Sequence, residues 1–274
     1  MQHKQNLHTH TVFCDGTDTP EQMVLTAIDK GFHSLGFSGH SYTPWDLEYC
    51  MSLEGTQEYR RIISELRAKY SRQIDIYLGL EVEMLSEVDL SGYDYLIGSS
   101  HYFNFEGTIV PFDVTAGEVQ QVIKDCFDND GMKYAKAYYR QLKKLPEYGD
   151  FDIIGHFDLI TKHSQSHTFF PDQSDEYLDS AFEALEALKG KIPFFEVNTG
   201  AIARGYRTTP YPALPIVKRM NQLGFKAIIT SDCHRRQQLD CEFEQAKQLL
   251  KDGGFTERYV LTREGFVPVS LGEQ

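Results

Sequence analysis

The 274-residue sequence lacks a cysteine framework, a long apolar run and an excess of positive charge. Its five cysteines are an odd number, and no two of them form a C-x-x-C pair. This argues against a disulfide scaffold and against a cysteine-based zinc site. A reduced, cytoplasmic setting is the expectation that fits this cysteine usage.

Charge and the pattern of apolar residues argue against membranes and nucleic acids as partners. No run of about 18 apolar residues predicts a membrane span, and residues 1–5 lack the apolar core of a signal peptide. Lysine and arginine number 27 against 40 aspartates and glutamates, a formal net charge of −13. Nucleic acids and anionic membranes bind clustered cations, so this balance argues against both. A small phosphorylated substrate stays compatible, because bound metal ions reverse the local field.

Three further features are absent: a G-x-G-x-x-G motif after the first strand, an evident repeat and a Pro/Ser-rich linker. The first absence removes the commonest sign of a doubly wound dinucleotide-binding sheet. Without a linker, we predict one domain over residues 1–274. The chain is 41% hydrophobic, and at this length it can bury a substantial core.

Short apolar segments alternate with amphipathic helical patterns along the chain. Parallel strands need long crossovers, so such alternation favours a parallel sheet, and seven main strands suit a closed barrel of the α/β class. Thr19, Pro20 and Gln22 form a capping box that begins the first helix. We expect residues 102–150 to be a helical insertion. The predicted strands are residues 7–12, 35–38, 74–82, 95–100, 151–155, 192–198 and 225–231, followed by a short one at 259–261.

Imidazole and carboxylate side chains end six of these seven main strands or follow them. In barrels of this kind, the C-terminal ends of the strands build the active site, so we expect these side chains to lie together. Successive side chains of a strand alternate between faces, so the first two histidines would project on the same side. The residues, in strand order, are His8 and His10, His40, Glu81, His101, His156, and Asp232 with His234.

Each of these residues alone also has a structural interpretation. A histidine after an apolar strand is commonly a hydrogen-bonded structural residue, Glu81 suits a buried ion pair, and Asp232 suits a helix cap. Asp15, in the segment Cys14-Asp15-Gly16, would by itself be a turn residue. The shared location favours a metal site instead. Imidazole and carboxylate without thiolate suit Zn²⁺, Mn²⁺ or Fe²⁺, and nine ligands are enough for two or three ions.

Together these motifs resemble the PHP (polymerase and histidinol phosphatase) superfamily, and within it the histidinol-phosphate phosphatases. The resemblance covers nearly the whole chain and implies a distorted (β/α)7 barrel, TIM-like, with a metal site at the C-terminal rim of the strands. The matching segments are His8-x-His10 with Asp15, Gly39-His40-Ser41, Gly79-Leu80-Glu81-Val82-Glu83, Gly98-Ser99-Ser100-His101, Gly155-His156-Phe157-Asp158 and Ser231-Asp232-Cys233-His234. The narrower resemblance to the histidinol-phosphate phosphatases rests on overall length, on the strand end Glu196-Val197-Asn198-Thr199-Gly200 and on the arginine loop after it.

The resemblance also implies a division of the ligands among three ions. Many relatives have a histidine where this chain has Asp15. The same resemblance makes Glu81, Asp232 and His234 the expected catalytic residues, with Glu81 bridging two ions. The implied sets are His8, His10, Glu81 and Asp232 for one ion, Glu81, His101 and His156 for the second, and Asp15, His40 and His234 for the third.

Basic residues after the fifth and sixth strands are the candidates for binding a phosphate. The segment Ala203-Arg204-Gly205-Tyr206-Arg207 follows the sixth strand, so it lies on the same rim. A guanidinium matches phosphate oxygens in two contacts, which makes Arg204 the first choice and Arg207 the second. Lys162, after the fifth strand, is the third candidate. The alternative is that the two arginines are exposed surface residues of a loop and bind no phosphate.

The function implied by the resemblance is hydrolysis of L-histidinol phosphate to L-histidinol and phosphate, a step of histidine biosynthesis. Two or three divalent ions would be the cofactors, and a hydroxide bridging them would attack phosphorus in line while Arg204 stabilises phosphoryl charge. Two alternatives stay open: a phosphoesterase of the same superfamily for nucleotides or oligonucleotide ends, and a non-catalytic metal-binding barrel. The expected partner is a small phosphate ester, and no particular oligomeric state is predicted. Candidates for its amino and imidazole ends are Tyr42, Trp45 and Glu83.

Overall fold

A computed structural model gives the structure of the protein over residues 3–105 and 107–272. In this part of the chain the strands are, in order, Gln5–Asn6 (β1), Ser34–Phe37 (β2), Asp75–Glu83 (β3), Tyr95–Ser99 (β4), Tyr102–Phe105 (β5), Thr108–Pro111 (β6), Ile153–Ile154 (β7), Phe194–Asn198 (β8), Lys226–Thr230 (β9), Glu257–Thr262 (β10) and Gly265–Ser270 (β11). The α-helices are Pro20–Asp29 (α1), Leu53–Tyr70 (α2), Ala116–Cys126 (α3), Gly131–Leu142 (α4), Asp175–Leu188 (α5), Gly200–Ala203 (α6), Leu214–Leu223 (α7) and Phe243–Asp252 (α8). None of these helices is long and apolar enough to cross a bilayer.

Seven strands form one parallel sheet in the order β1-β2-β3-β4-β7-β8-β9. The two edges meet after β1 and β9, where Thr9 and Cys233 form a parallel bridge. The His10 N–H donates to the Cys233 carbonyl at 2.9 Å, and the Cys233 N–H donates to the His8 carbonyl at 3.3 Å. The sheet is therefore a nearly closed barrel, and the predicted fold class is confirmed.

Local sequence signals set the ends of several helices. Thr19 Oγ1 accepts the Gln22 N–H and Gln22 Oε1 accepts the Thr19 N–H, so the predicted capping box begins α1. A second capping box, between Thr115 and Glu118, begins α3. Helix α7 ends at Gly224, whose φ of 81° is the left-handed conformation that glycine adopts without a steric cost.

Buried apolar side chains form two layers, one inside the barrel and one between the strands and the helices. The two layers alternate along each strand, because successive side chains point to opposite faces: Tyr95 and Ile97 of β4 belong to the inner layer, whereas Leu96 belongs to the outer one. The inner layer consists of Leu7, Tyr77, Tyr95, Ile97, Ile153, Phe194, Ile228 and Leu261. This layer separates the two ends of the barrel.

The hairpin β10–β11 covers the N-terminal end of the barrel. Gln5 bonds to Leu261 through both its amide nitrogen and its amide oxygen, each at 2.8 Å, and the Phe266 ring stacks on Phe194 at 4.1 Å. The sequence predicts only a single short strand here. The chain turns back because Gly265 takes a φ of 106°, which an L side chain rarely adopts.

Two further elements differ from their predictions. Strand β1 is two residues long, and the predicted strand 7–12 is wrong: the Asn6 side chain accepts the His8 N–H at 3.1 Å as the chain leaves the sheet. The insertion begins with the hairpin β5–β6 before its two helices, so it is not purely helical. The hairpin turns at Gly107, with a φ of 94°, and the Gly107 N–H donates to Asn104 Oδ1 at 2.8 Å.

Tyr95 fills the middle of the barrel in space that two glycines leave open. Its hydroxyl donates to the carbonyls of Leu7 and Phe37. It therefore connects β4 to the segment after β1, which carries His8 and His10, and to the end of β2, which His40 follows. Cβ atoms at Gly36 and Gly79 would overlap the Tyr95 side chain. The barrel interior therefore requires glycine at these two positions.

We expect Gly79→Ala to lower the free energy of unfolding by about 1–3 kcal/mol, because the added methyl group overpacks the barrel interior. The matched control is Gly117→Ala at the exposed start of α3, where nothing lies within 4 Å of the added atom. That control should be neutral or stabilising, since alanine favours helix more than glycine does. Urea unfolding measures both, and equal effects would contradict the role given to Tyr95.

Candidate metal centre

The carboxylate of Glu81, at the C-terminal end of β3, lies among five imidazoles. The residues around it come from the ends of four strands, as the parallel barrel requires. Each oxygen lies within 3.6 Å of two or more imidazole nitrogens: Oε2 is 2.9 Å from His40 Nδ1, 3.2 Å from His8 Nε2 and 3.5 Å from His10 Nε2, and Oε1 is 3.0 Å from His156 Nε2 and 3.6 Å from His101 Nε2.

The remaining predicted ligands lie beside this cluster. Asp232 Oδ1 is 3.1 Å from His10 Nε2, and Asp15 Oδ2 is 2.9 Å from His234 Nε2. The structure thus brings together all nine side chains that the sequence singles out. Three groups of them offer ligand atoms within 4.8 Å of one another: His8, His10 and Asp232; Glu81, His101 and His156; and His10, Asp15, His40 and His234.

Unpartnered buried atoms test whether this cluster fits metal ions. His8 Nε2, His10 Nε2 and Glu81 Oε2 are buried, and although they lie close to one another and to His40 and Asp232, they have no partner in hydrogen-bond geometry among the described residues. A buried polar atom without a partner is costly, and three of them converging indicate a ligand. Imidazole nitrogens together with carboxylate oxygens are the donor set of divalent zinc-like ions. The cluster fits such ions, and the assignment of individual ligands stays a prediction.

The pKa values at the centre of the cluster are shifted in both directions. Burial and the neighbouring imidazoles of His234 and His40 lower the pKa of His10 to about 3, so this ring is neutral and retains a lone pair. Burial favours the neutral acid of Glu81, yet His8 and His40 hold its pKa well below the ordinary value. Despite burial, neighbouring carboxylates raise the pKa values of His8, His40 and His101. Ionised carboxylates and neutral imidazoles are the forms that ligate metals, so a metal ion competes with protons for these three rings.

Exposure divides the cluster into an inner and an outer part. The side chains of His8 and His10 are fully buried and that of Glu81 is 1% exposed, whereas those of Asp15 and His234 are 30% and 18% exposed. The outer part, formed by Asp15, His40 and His234, lines a cavity of about 280 Å³ together with Glu81, His101, His156 and Asp232. A cavity of this size holds a small molecule.

Arg204, the first candidate for binding phosphate, follows α6 and lines this cavity. Its Nη2 is 3.0 Å from Asp232 Oδ2, and its Nη1 donates to the Asp232 carbonyl at 3.1 Å and lies 3.0 Å from His234 Nδ1. A guanidinium has five N–H donors. The three described contacts leave two of them for another acceptor.

Lys162 and Arg207, the other two candidates, have different surroundings. Lys162 lines the same cavity, with its Nζ 2.7 Å from Asp113 Oδ1 and 4.6 Å from the Tyr206 ring. The structure gives Arg207 other partners: its guanidinium is buried outside the lining of this cavity, where it donates to Thr161 and lies over the Tyr211 ring. Gly205, with a φ of 77°, turns the chain between the two arginines.

The sequence reasoning missed several residues of the cavity and assigned one incorrectly. Asp46 Oδ2 accepts the Tyr102 hydroxyl at 2.7 Å, and both residues line the cavity together with Tyr49, Asp113 and Tyr206. They lie on loops and on the unpredicted hairpin, without a periodic signal. Glu83, a candidate for contacting the substrate, does not line the cavity. Its carboxylate bonds to His101 instead.

The fold and this cluster define a class of protein, and the comparison of sequences agrees with it. The chain belongs to the PHP domain family, whose model matches residues 6–200.

Within that family, the most informative relatives share one name. The chain is 28% identical over 261 residues to the “Probable histidinol-phosphatase” of Deinococcus radiodurans, covering 90% of this chain and 92% of that protein. It is 23% identical over 254 residues to the histidinol-phosphatase of Bacillus subtilis, covering 85% and 94%. The solved histidinol phosphate phosphatase of Lactococcus lactis, in complex with zinc, L-histidinol and phosphate, superposes with a TM-score of 0.73 at 20% identity, covering 97% of this chain and 99% of that one.

We expect Glu81→Gln to lower the bound metal by more than one ion per chain, because its two oxygens contact imidazoles of all three groups. Asp15→Asn is the matched comparison: it neutralises an exposed carboxylate of the outer group and should remove one ion at most. Elemental analysis after gel filtration measures both. Equal loss from the two variants, or full metal in Glu81→Gln, would contradict a central role for Glu81.

Proposed function

We propose that this protein is a metal-dependent phosphomonoesterase that hydrolyses L-histidinol phosphate to L-histidinol and phosphate. One observation carries the proposal. A single small cavity joins the metal-compatible cluster to two cations, Arg204 and Lys162, and to the carboxylate of Asp46. These are the complements of a phosphate that must be cleaved and of an amine at the other end of the same molecule.

The phosphate end would lie between the cluster and the two cations. Arg204 has two N–H groups free of described contacts, so it is suited to a bidentate contact with phosphoryl oxygens. Lys162 shares one of its three protons with Asp113, and the others are available to the same phosphate. Divalent ions, when bound, neutralise charge on the phosphoryl group and activate water for its hydrolysis.

Asp46 supports a substrate with a cationic end. Among the described residues, its carboxylate bonds only to the hydroxyl of Tyr102, a neutral donor. The Trp45 ring packs edge-on against Tyr102 at 5.8 Å, and Tyr49 packs edge-on against His40 at 4.6 Å. An unpaired carboxylate beside aromatic rings suits an ammonium and an imidazole, and a mononucleotide offers neither ammonium nor a second cation.

The relatives support the same substrate. The two curated proteins named above carry the histidinol-phosphatase name, and both alignments span most of each chain. We also propose the cytoplasm as the setting, which is consistent with five free cysteines, of which Cys126 is exposed.

The decisive experiment measures phosphate release by the zinc- or manganese-loaded protein from L-histidinol phosphate, a nucleoside monophosphate and p-nitrophenyl phosphate. We expect kcat/KM to be highest for L-histidinol phosphate and activity to be lost after removal of the metal by a chelator. A higher kcat/KM for the nucleoside monophosphate would support the alternative function, a phosphoesterase that acts on nucleotides. If the fully metal-loaded protein hydrolyses none of these esters, the alternative of a non-catalytic metal-binding barrel would be supported instead.

We expect Arg204→Ala to reduce kcat/KM for L-histidinol phosphate, because a charge-assisted contact with the transferring phosphoryl group is lost. The reduction should correspond to about 2–4 kcal/mol of transition-state stabilisation. Arg207→Ala is the matched comparison. It removes the bonds to Thr161 and should lower the melting temperature, while the kcat/KM of the folded protein stays close to the original value. Steady-state kinetics and thermal denaturation separate the two effects. A large loss of kcat/KM in Arg207→Ala but not in Arg204→Ala would assign the phosphate contact to Arg207.

A further inference from the structure

Two buried carboxylates contact the histidines of the cluster from behind, away from the cavity. Glu196 lies in β8 and is fully buried, and Glu83 ends β3 and is 2% exposed. Neither belongs to the groups of side chains that are arranged to hold a metal ion. Neither lines the cavity beside the cluster. Their role therefore has to be sought in what they bond to.

Glu196 accepts four hydrogen bonds, two on each oxygen. Oε2 is 2.8 Å from His8 Nδ1 and accepts the Thr230 hydroxyl at 2.7 Å. Oε1 accepts the His156 backbone N–H at 2.7 Å and the Asn198 side-chain amide at 2.8 Å. These contacts connect His8 and His156, which follow β1 and β7, with Asn198 and Thr230, which end β8 and β9. Each oxygen is saturated with donors, so the carboxylate is an acceptor only.

This saturation determines which nitrogen of His8 carries a proton. A saturated carboxylate cannot donate, so the 2.8 Å contact requires a proton on His8 Nδ1. The lone pair of the neutral ring is then on Nε2. That atom is the buried, unpartnered one, 3.2 Å from Glu81 Oε2 and 3.6 Å from Asp232 Oδ1.

Glu83 makes the same arrangement for His101. Its Oε2 accepts the His101 backbone N–H at 2.7 Å and lies 3.0 Å from His101 Nδ1. The other ring nitrogen, Nε2, faces the centre of the cluster, 3.3 Å from His156 Nε2 and 3.6 Å from Glu81 Oε1. The contact to Nδ1 thus leaves Nε2 as the ligand atom of this ring as well.

We propose that Glu196 and Glu83 are positioning residues, which fix the Nδ1–H tautomers of His8 and His101 and leave both Nε2 atoms free for divalent cations. The inference rests on the metal centre proposed above. Outer carboxylates of this kind orient a ligating imidazole and raise its basicity, and their loss costs about 10–100-fold in metal affinity. Glu196 also connects two groups, because it bonds to the ring of His8 and to the backbone of His156.

The two residues predict different responses to the same change. At Glu196, a glutamine would place its amide NH₂ against two donors, so either the His8 contact or the His156 and Asn198 contacts are lost. At Glu83, both contacts to His101 use one oxygen and the other accepts only the Leu85 N–H at 3.3 Å. A glutamine there keeps an acceptor for His101, whereas an alanine removes it.

The test is a titration of the metal-free protein with Zn²⁺ against a competing chelator. We expect Glu196→Gln and Glu83→Ala each to weaken one or more sites about 10–100-fold, and Glu83→Gln to retain the affinity of the unsubstituted protein. Nitrogen-15 spectra of the Zn²⁺-loaded protein supply an independent signature. They should show protonated Nδ1 in His8 and His101, and loss of the His101 Nδ1–H signal in Glu83→Ala, where the acceptor is removed.

Asp152→Ala is the control for a purely structural carboxylate. Asp152 accepts the Leu96 N–H at 2.8 Å, outside the cluster, so its loss should lower stability without changing Zn²⁺ affinity. Should Glu196→Gln fail to fold, the Glu83 pair still decides the question. Unchanged Zn²⁺ affinity in Glu83→Ala, or an Nε2–H tautomer of His8 or His101 in the unsubstituted protein, would overturn this inference but not the metal centre. Failure of the unsubstituted protein to bind Zn²⁺ would instead overturn the metal centre.

Discussion

The arrangement depends on one electrostatic constraint, the burial of the Glu81 carboxylate among imidazoles from the ends of different strands. A buried charge of this kind is tolerated only when opposite charge or donors surround it. That surrounding exists only if the barrel closes, because His8 and His10 reach Glu81 from one edge of the sheet and Asp232 approaches them from the other. The bridge between Thr9 and Cys233 is therefore part of the site as much as of the fold.

The division of the barrel into two ends follows from the same constraint. Polar ligands at the C-terminal ends of the strands contribute little apolar burial, so stability has to come from elsewhere. It comes from the inner layer around Tyr95 and from the hairpin β10–β11, which closes the opposite end with Leu261 and Phe266. Between these ends, the Tyr95 hydroxyl holds the carbonyls of Leu7 and Phe37, one residue before His8 and three before His40.

The sequence predicted what periodicity and position determine, and it failed where three-dimensional packing decides. Parallel strands place their ends on one rim, which is why the fold class and the convergence of His40, His101 and His156 followed from spacing alone. The sequence ranks Arg204 above Arg207 but does not show their surroundings: the chain turns at Gly205 between them, Arg204 lines the cavity, and the guanidinium of Arg207 lies over the Tyr211 ring. The hairpins depend on single glycines with positive φ, and Glu196 gained its meaning only from the four donors around it.

A chain with a net charge of −13 has to bind an anion against its own field. At long range that field disfavours polyanions more than small esters, because repulsion grows with the charge of the ligand. At short range Arg204 and Lys162 supply positive charge next to the cluster, and bound divalent ions add more. A substrate that carries its own cation meets less repulsion on approach and finds Asp46 inside the cavity. Long-range exclusion and short-range pairing thus select the same ligand, a small phosphate ester with a positively charged end.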